Sequence, residues 1–155
     1  MYEYRASIRR VIDGDTVDVD IDLGFDVKLE DERVRIVGID TPESRTSDPV
    51  EDLFGEAAKA RVKELLDGDV VLRTQLNKHG EDMRGKFGRV LGDFVIGNRT
   101  LTEILIAEGH AVAYHGQNKS EVEAAHLANR ERLLTEGVIS NDDYQAAVKL
   151  LESKQ

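Results

Sequence analysis

The chain contains no cysteine, which excludes disulfides, zinc–thiolate centres and thiol nucleophiles together. Stability must come from packing, and any metal must be held by oxygen or imidazole, a preference that points to a hard cation. Long apolar runs are also missing. Nothing approaches the roughly 18 to 20 residues needed to cross a bilayer, and the opening stretch MYEYRASIRR lacks the apolar segment of a secretory leader. The expectation is a soluble chain with no membrane partner, cytoplasmic unless a leader has been removed, in which case secreted. Basic residues are in deficit, 21 against 31 acidic, for a formal net charge of -10. Such a charge counts against a protein that grips nucleic acid through a general basic surface, but it leaves room for local positive charge inside a site. The 155 residues, 40% hydrophobic and 34% charged, suit one globular domain over 1–155, expected as a monomer, with 138–155 as a C-terminal helical extension.

From Tyr4 to Ile39 apolar and polar residues alternate with a period of two, and β-branched residues are frequent, the pattern of a β meander. The clearest stretch is Thr16 to Leu23, where Val17, Val19, Ile21 and Leu23 share one face and Asp18, Asp20 and Asp22 the other. The run Glu30, Asp31, Glu32 reads as a charged turn before Val34, Ile36, Val37 and Ile39. A helix is predicted from Val50 or Phe54 to Leu66, with Asp48 as its N-cap and Pro49 in the first turn. Strands follow at Asp69 to Thr74 and Gly88 to Ile96, then a tight turn at Gly97 and Asn98. A short helix capped by Thr100 ends at Gly109, and a short strand lies at Val112 to Tyr114. A third helix opens on a Ser120–Glu123 capping box and stops near Gly137, and a last helix runs from Asn141 to Leu151. Five strands with one helix between the third and fourth predict an α+β, mainly β fold, a closed five-stranded barrel of the OB type.

Two carboxylates stand where predicted strands meet irregular turns, Asp15 in VIDGDTV and Asp40 in RIVGIDTPE. Such positions leave side chains free of the sheet ladder, and the Thr41 carbonyl can add an oxygen. Calcium suits this set because it accepts carboxylate, carbonyl and water oxygens in loose geometry. Glu43 follows Asp40 by three residues, with Pro42 stiffening the turn, and can reach a water beside the metal as a general base. Arg35, five residues before Asp40 on the same predicted strand, and Arg89 in KFGRV can clamp one phosphate, because guanidinium donors match phosphate oxygens in pairs. Each residue taken alone has a plainer reading. Asp15 suits an Asp-Gly-Asp turn, Asp40 and Glu43 suit a turn and cap before and after Pro42, Arg35 can snorkel from a sheet edge, and Arg89 can pair with surface acid. The Asp18, Asp20, Asp22 series is not an EF-hand loop, since Leu23 and Leu29 stand where glycine and glutamate are required, and it reads as a solvated strand face. His79, His110, His115 and His126 show no ligand spacing and read as surface or helix residues.

The segments VIDGDTV, VRIVGIDTPE, FGEAAKA, KFGRV, LTEILIAEGHA and VAY, in this order, resemble the thermonuclease or staphylococcal nuclease-like family over roughly Tyr4 to Gly137. The resemblance implies an OB-fold barrel with three helices, to which the helix after Asn141 is an addition. It implies calcium bound by Asp15, Asp40 and the Thr41 carbonyl, a water held by Glu43 as base, and a scissile phosphate contacted by Arg35 and Arg89. The implied activity is hydrolysis of DNA and RNA, single strands preferred, with little sequence preference and 3′-phosphate products. Lys86, Phe87 and Tyr114 fall at positions that contact nucleotides. Where the family often has Lys-Tyr before Gly-Arg, this chain has Lys86 and Phe87, which keeps the ring and loses the phenolic hydroxyl. His115 and Gly116 replace the usual residues after Tyr114, and Ser44 to Asp52, corresponding to the family's mobile active-site loop, is acidic. The alternative from a different class is a non-catalytic OB module that binds single-stranded nucleic acid or a protein partner.

Overall fold

The computed structural model describes residues 2–155. Three antiparallel strands, β1 (Glu3–Asp13), β2 (Thr16–Asp22) and β3 (Lys28–Ile36), form the meander that the alternation predicts. The chain then turns through Gly38 into a two-residue strand, β4 (Ile39–Asp40), and helix α1 (Pro49–Leu65) carries it to β5 (Asp69–Thr74). After a single 3₁₀ turn at Lys86–Gly88 come β6 (Val90–Ile96), β7 (Arg99–Thr100) and α2 (Leu101–Glu108). Strand β8 (Val112–Ala113) and helices α3 (Lys119–Thr135) and α4 (Asn141–Ser153) complete the chain.

Strand β5 pairs with β1 on one side and β6 on the other, and β6 closes the sheet by pairing its Val90 and Gly92 in parallel with Val34 and Ile36 of β3. The result is a closed five-stranded barrel, the OB architecture. Its interior is filled by Val17, Val19, Val34, Ile36, Leu72 and Phe94, with Val62 of α1 and Leu101 and Leu105 of α2 packed against it. Removing each such side chain from water contributes about 1.5–3 kcal/mol. A second cluster joins Val50 and Phe54 of α1 to Leu133 and Ile139, and α4 covers it with Tyr144, Ala147, Val148 and Leu151. Among the described residues no helix is long and apolar enough to cross a membrane.

Bulges in β1 decide what reaches the site. Register shifts lie between Ile8 and Arg10 and between Val11 and Asp13. The first switches the inward residues from Ala6 to Val11, and the second turns the strand's last residue, Asp13, toward the β4–α1 connection, because each extra residue reverses the side-chain alternation.

Several expectations change. Asp18 is not solvated: it is 2% exposed and held by Arg10 and Arg33. Leu23 leaves the core face and is exposed, because β2 ends at Asp22 and the hairpin turn occupies Leu23 to Val27. Glu30 to Glu32 belong to β3 rather than a turn; Asp31 takes φ 54° as its N–H donates to Asp20 Oδ1 and its carboxylate accepts from Arg10. Arg35 and Asp40 are on separate strands, since Gly38, at φ 81°, breaks the run between them. Helix α3 is capped by Asn118, which accepts from the Glu121 N–H, and not by Ser120. The segment Ser44 to Asp52 is not one loop. Asp48 caps α1 by accepting from the N–H groups of Val50 and Glu51, so Pro49 to Asp52 are helical. Lys154 Nζ, just past α4, donates to the Ser47 carbonyl at 3.0 Å.

Candidate active site

Asp15 sits in the turn between β1 and β2. Its neighbour Gly14 is wedged against α1 and Thr41: a Cβ there would lie 3.0 Å from Ala58 Cβ and 3.1 Å from Thr41 Cγ2. Glycine lets this turn close on the β4 end without crowding Ala58 and Thr41, beside which Asp15 shares one cavity with Asp40. Asp15 Oδ1 accepts from the Thr16 hydroxyl at 2.9 Å, and Oδ2 lies 3.5 Å from Arg35 Nη2. Arg35 also donates to the carbonyls of Ile36 and Ile39, the latter at 3.0 Å, so its guanidinium braces the turn that carries Asp40.

Pairing of β4 with β8 sets Asp40 opposite Val112. The Asp40 carboxylate Oδ2 lies 2.6 Å from His126 Nε2 on α3. A carboxylate only accepts, so the imidazole Nε2–H donates and fixes the Asp40 rotamer. His126 is therefore not a bystander on a helix surface, and Lys119, Val122, Glu123, Leu127 and Arg130 line the same groove with it. That three-and-four spacing marks one face of α3, a signal readable in the sequence once α3 is known to lie over β4.

Glu43 is exposed, and among the described residues its carboxylate has no side-chain partner. Its backbone is held from both sides. Ser44 donates from its N–H to Asp13 Oδ1 at 3.3 Å and from its hydroxyl to the same carboxylate. Opposite, Gly55 of α1 presses on the Glu43 carbonyl so closely that a Cβ would collide with it. The glycine of FGEAAKA thus permits a helix-to-loop contact that positions Glu43. The nearby Glu51 carboxyl is pushed up by burial and by the negative charges of Glu43 and Asp48.

Asp13, Asp15, Arg35, Asp40, Thr41, Glu43 and Arg89 all line one cavity of about 260 Å³. Arg35, Asp40 and Arg89 also border a larger groove of about 850 Å³ that takes in Lys86, Tyr114 and α3. Lys86 and Tyr114 are thus brought together, whereas Phe87 is not among the residues of that groove. At φ 62° and 97% exposed, it projects into a separate cleft that it shares with Arg89, Arg10 and Arg33. Arg89 borders all three spaces, and its Nε donates to the Lys86 carbonyl at 3.1 Å.

The donor chemistry fits a hard cation. Carboxylates of Asp15 and Asp40 face a cavity that also includes Thr41, whose Oγ1 is buried without a hydrogen-bond partner among the described residues. No group of three or more acidic or imidazole side chains gathers into a metal cluster among those residues. A cation with six to eight ligands would therefore draw on carbonyl, water and phosphate oxygens as well.

Carboxylates and guanidinium groups thus converge on one rim of a five-stranded OB barrel, and sequence comparisons identify the family this chain belongs to. The family model described as "Staphylococcal nuclease homologue" matches residues 33–133, and the chain belongs to this family. It is 36% identical over 107 residues to a thermonuclease of Staphylococcus intermedius, an alignment covering 68% of this chain and 57% of the relative. It is 34% identical over 110 residues to the SPbeta prophage-derived endonuclease YokF of Bacillus subtilis (strain 168), covering 70% of this chain and 34% of the relative. The endonuclease YncB of the same organism is also 34% identical over 110 residues, covering 70% and 48%. The chain thus spans about a third to three-fifths of the length of these relatives.

Proposed function

We propose that the protein is a calcium-dependent nuclease, hydrolysing phosphodiester bonds of DNA and RNA with little sequence preference and leaving 3′-phosphate ends. The observation that carries this reading is the convergence of Asp15, Arg35, Asp40, Glu43 and Arg89 on one small cavity from separate turns and strands. In this reading residues 1–155 act as one domain, active as a monomer, with 138–155 bracing α1 from outside.

Asp15 and Asp40, with the Thr41 carbonyl, would hold the cation. When bound, calcium offsets charge on the phosphate oxygens and makes a nearby water easier to deprotonate. Glu43 accepts the proton of the attacking water. The water oxygen bonds to phosphorus as the bond from phosphorus to the 5′ oxygen breaks, and that oxygen takes up a proton from solvent. Arg35 and Arg89 donate to the phosphate oxygens, more strongly as the pentacoordinate transition state gains negative charge. Lys86 and Tyr114 receive the adjoining nucleotide in the groove, and the exposed Phe87 ring offers a stacking face for a base. Stacking needs bases free of a partner strand, which favours single-stranded substrate.

Incubation with single-stranded DNA and with RNA, in calcium and then in chelator, tests the proposal. Cleavage that stops on chelation and yields 3′-phosphate ends is expected. Folded protein that cuts neither polymer in calcium would overturn it. The net charge of -10 supports a second reading, a binding-only OB module, for which retention of single strands without cleavage is the signature.

A further inference from the structure

Beyond the residues given roles in the proposed chemistry, the groove beside the cavity contains a further cation, Arg130. Arg130 lies on α3 one helical turn after His126, about 6 Å along the helix axis, and His126 is fixed to Asp40. Its guanidinium carbon lies over the Phe54 ring, with Cζ 5.4 Å from the centroid. A cation over a ring face is attracted to it without spending its N–H donors on an acceptor. Among the described residues Arg130 makes no ion pair, and its Nε is buried without a hydrogen-bond partner. Glu51 shares the groove wall without approaching to ion-pair distance.

Arg5, Arg45, Arg89 and Arg99 also make no ion pair among the described residues, but of the arginines only Arg130 has a buried side-chain nitrogen without a hydrogen-bond partner there. Arg9, Arg10, Arg33, Arg61, Arg73, Arg84 and Arg132 each hold a carboxylate. In a protein with excess acid, an arginine that packs on an aromatic ring and has no anion at ion-pair distance, with only the longer-range field of Glu51 acting on it, is poised for one from outside. The groove it faces is the one bordered by Arg35, Arg89 and Lys86, with an apolar ledge of Tyr114, Val122 and Leu127 in the same wall. Such a ledge suits sugar and base, and cations on its border suit backbone phosphates.

We propose that Arg130 binds a backbone phosphate of single-stranded nucleic acid adjoining the one held by Arg35 and Arg89, so that α3 forms one wall of the substrate path. The proposal rests on the nuclease reading only for the identity of the polymer. Neutralising one phosphate of a single strand changes the slope of log affinity against log salt by about 0.7, an effect that altered packing does not produce.

The test is fluorescence anisotropy of a labelled single-stranded DNA oligonucleotide with the Glu43→Gln protein in calcium across a salt series, with and without Arg130→Gln. Arg130→Met serves as a second charge-removing variant that keeps the aliphatic cover on Phe54, and Arg130→Lys keeps the charge. Melting curves verify folding. We expect the Gln and Met variants to bind about tenfold more weakly, with the slope reduced by about 0.7, and Lys to restore the slope. Weaker binding with an unchanged slope would overturn the proposal and leave Arg130 a packing residue. Cleavage is read separately with Glu43 intact. Arg130-dependent binding without cleavage would overturn the nuclease reading and keep this site; cleavage with an Arg130-independent slope would do the reverse. No binding of the oligonucleotide would overturn the Arg130 site, and the separate cleavage assay would still decide the nuclease reading.

Discussion

Two regions of the barrel contain the same residue types in opposite states. On the outer face of β1–β3, Asp18 receives a bidentate pair from Arg33 at 2.8 and 3.1 Å and a further bond from Arg10 at 2.7 Å, while Arg10 also reaches Asp31 at 3.0 Å. At the rim, Arg35 turns its donors to backbone carbonyls and keeps only a 3.5 Å contact with Asp15, and Arg89 makes no ion pair among the described residues. The difference separates structure from chemistry. Mutually satisfied charges have nothing left for a ligand, while charges held in place by carbonyls, an imidazole or a ring keep their field directed at the cavity.

The largest effect should follow from removing the unpaired carboxylate. Glu43→Gln keeps the fold and calcium binding but lowers turnover by about 10² to 10⁴, the range of a general base; cleavage at the parental rate would remove Glu43 from that role. Next comes Arg89→Gln, expected to lose about 10² to 10³ in turnover with an unchanged melting curve, because no carboxylate depends on it. A comparable loss from Arg10→Gln would erase the distinction between the two regions.

On the paired side the effect should be on stability and on its acid limit. The hydrogen bond from Arg33, then that from Arg10 and the charges of both, hold the Asp18 carboxyl below its usual range, against an opposing contribution from burial. Its stabilisation is therefore complete above the unfolded value near 3.9 and lost as pH falls through the lower folded value. Asp18→Asn should cost about 1–3 kcal/mol at neutral pH, and the difference from the parent should vanish in acid, as denaturant melts across pH would reveal. A constant difference at every pH would assign the cost to packing. The smallest effect is expected at Arg9→Gln. Its bond to Asp20 at 2.6 Å lies in solvent, where an ion pair is screened and side-chain entropy opposes it, so the melting temperature should hardly move.

Much of the architecture was legible because its causes are local. Alternation predicts β1 to β3, the Asp48–Pro49 start predicts α1, and Thr100 and Gly109 bracket α2, each through interactions within a few residues. The errors occurred where distant partners intervened. Asp18 alternates like a solvent-facing residue, but Arg10 and Arg33 cover it from two neighbouring strands. Ser120 and Glu123 have capping-box spacing, yet Asn118 starts the helix two residues earlier.

The sequence by itself determined the barrel, its helices and the family resemblance that singles out Asp15, Arg35, Asp40, Glu43 and Arg89, because propensity, periodicity and motif order all act along the chain. Only the tertiary structure decided that Gly14 and Gly55 admit the close contacts that bring Asp15 and Glu43 to one cavity. It alone places His126 on Asp40, sets Phe87 apart from Tyr114, and leaves Arg130 facing the groove. The physical reason is distance along the chain. Which charges meet and which stay unmatched depends on how α1 and α3 pack against the barrel, and no local pattern encodes that packing.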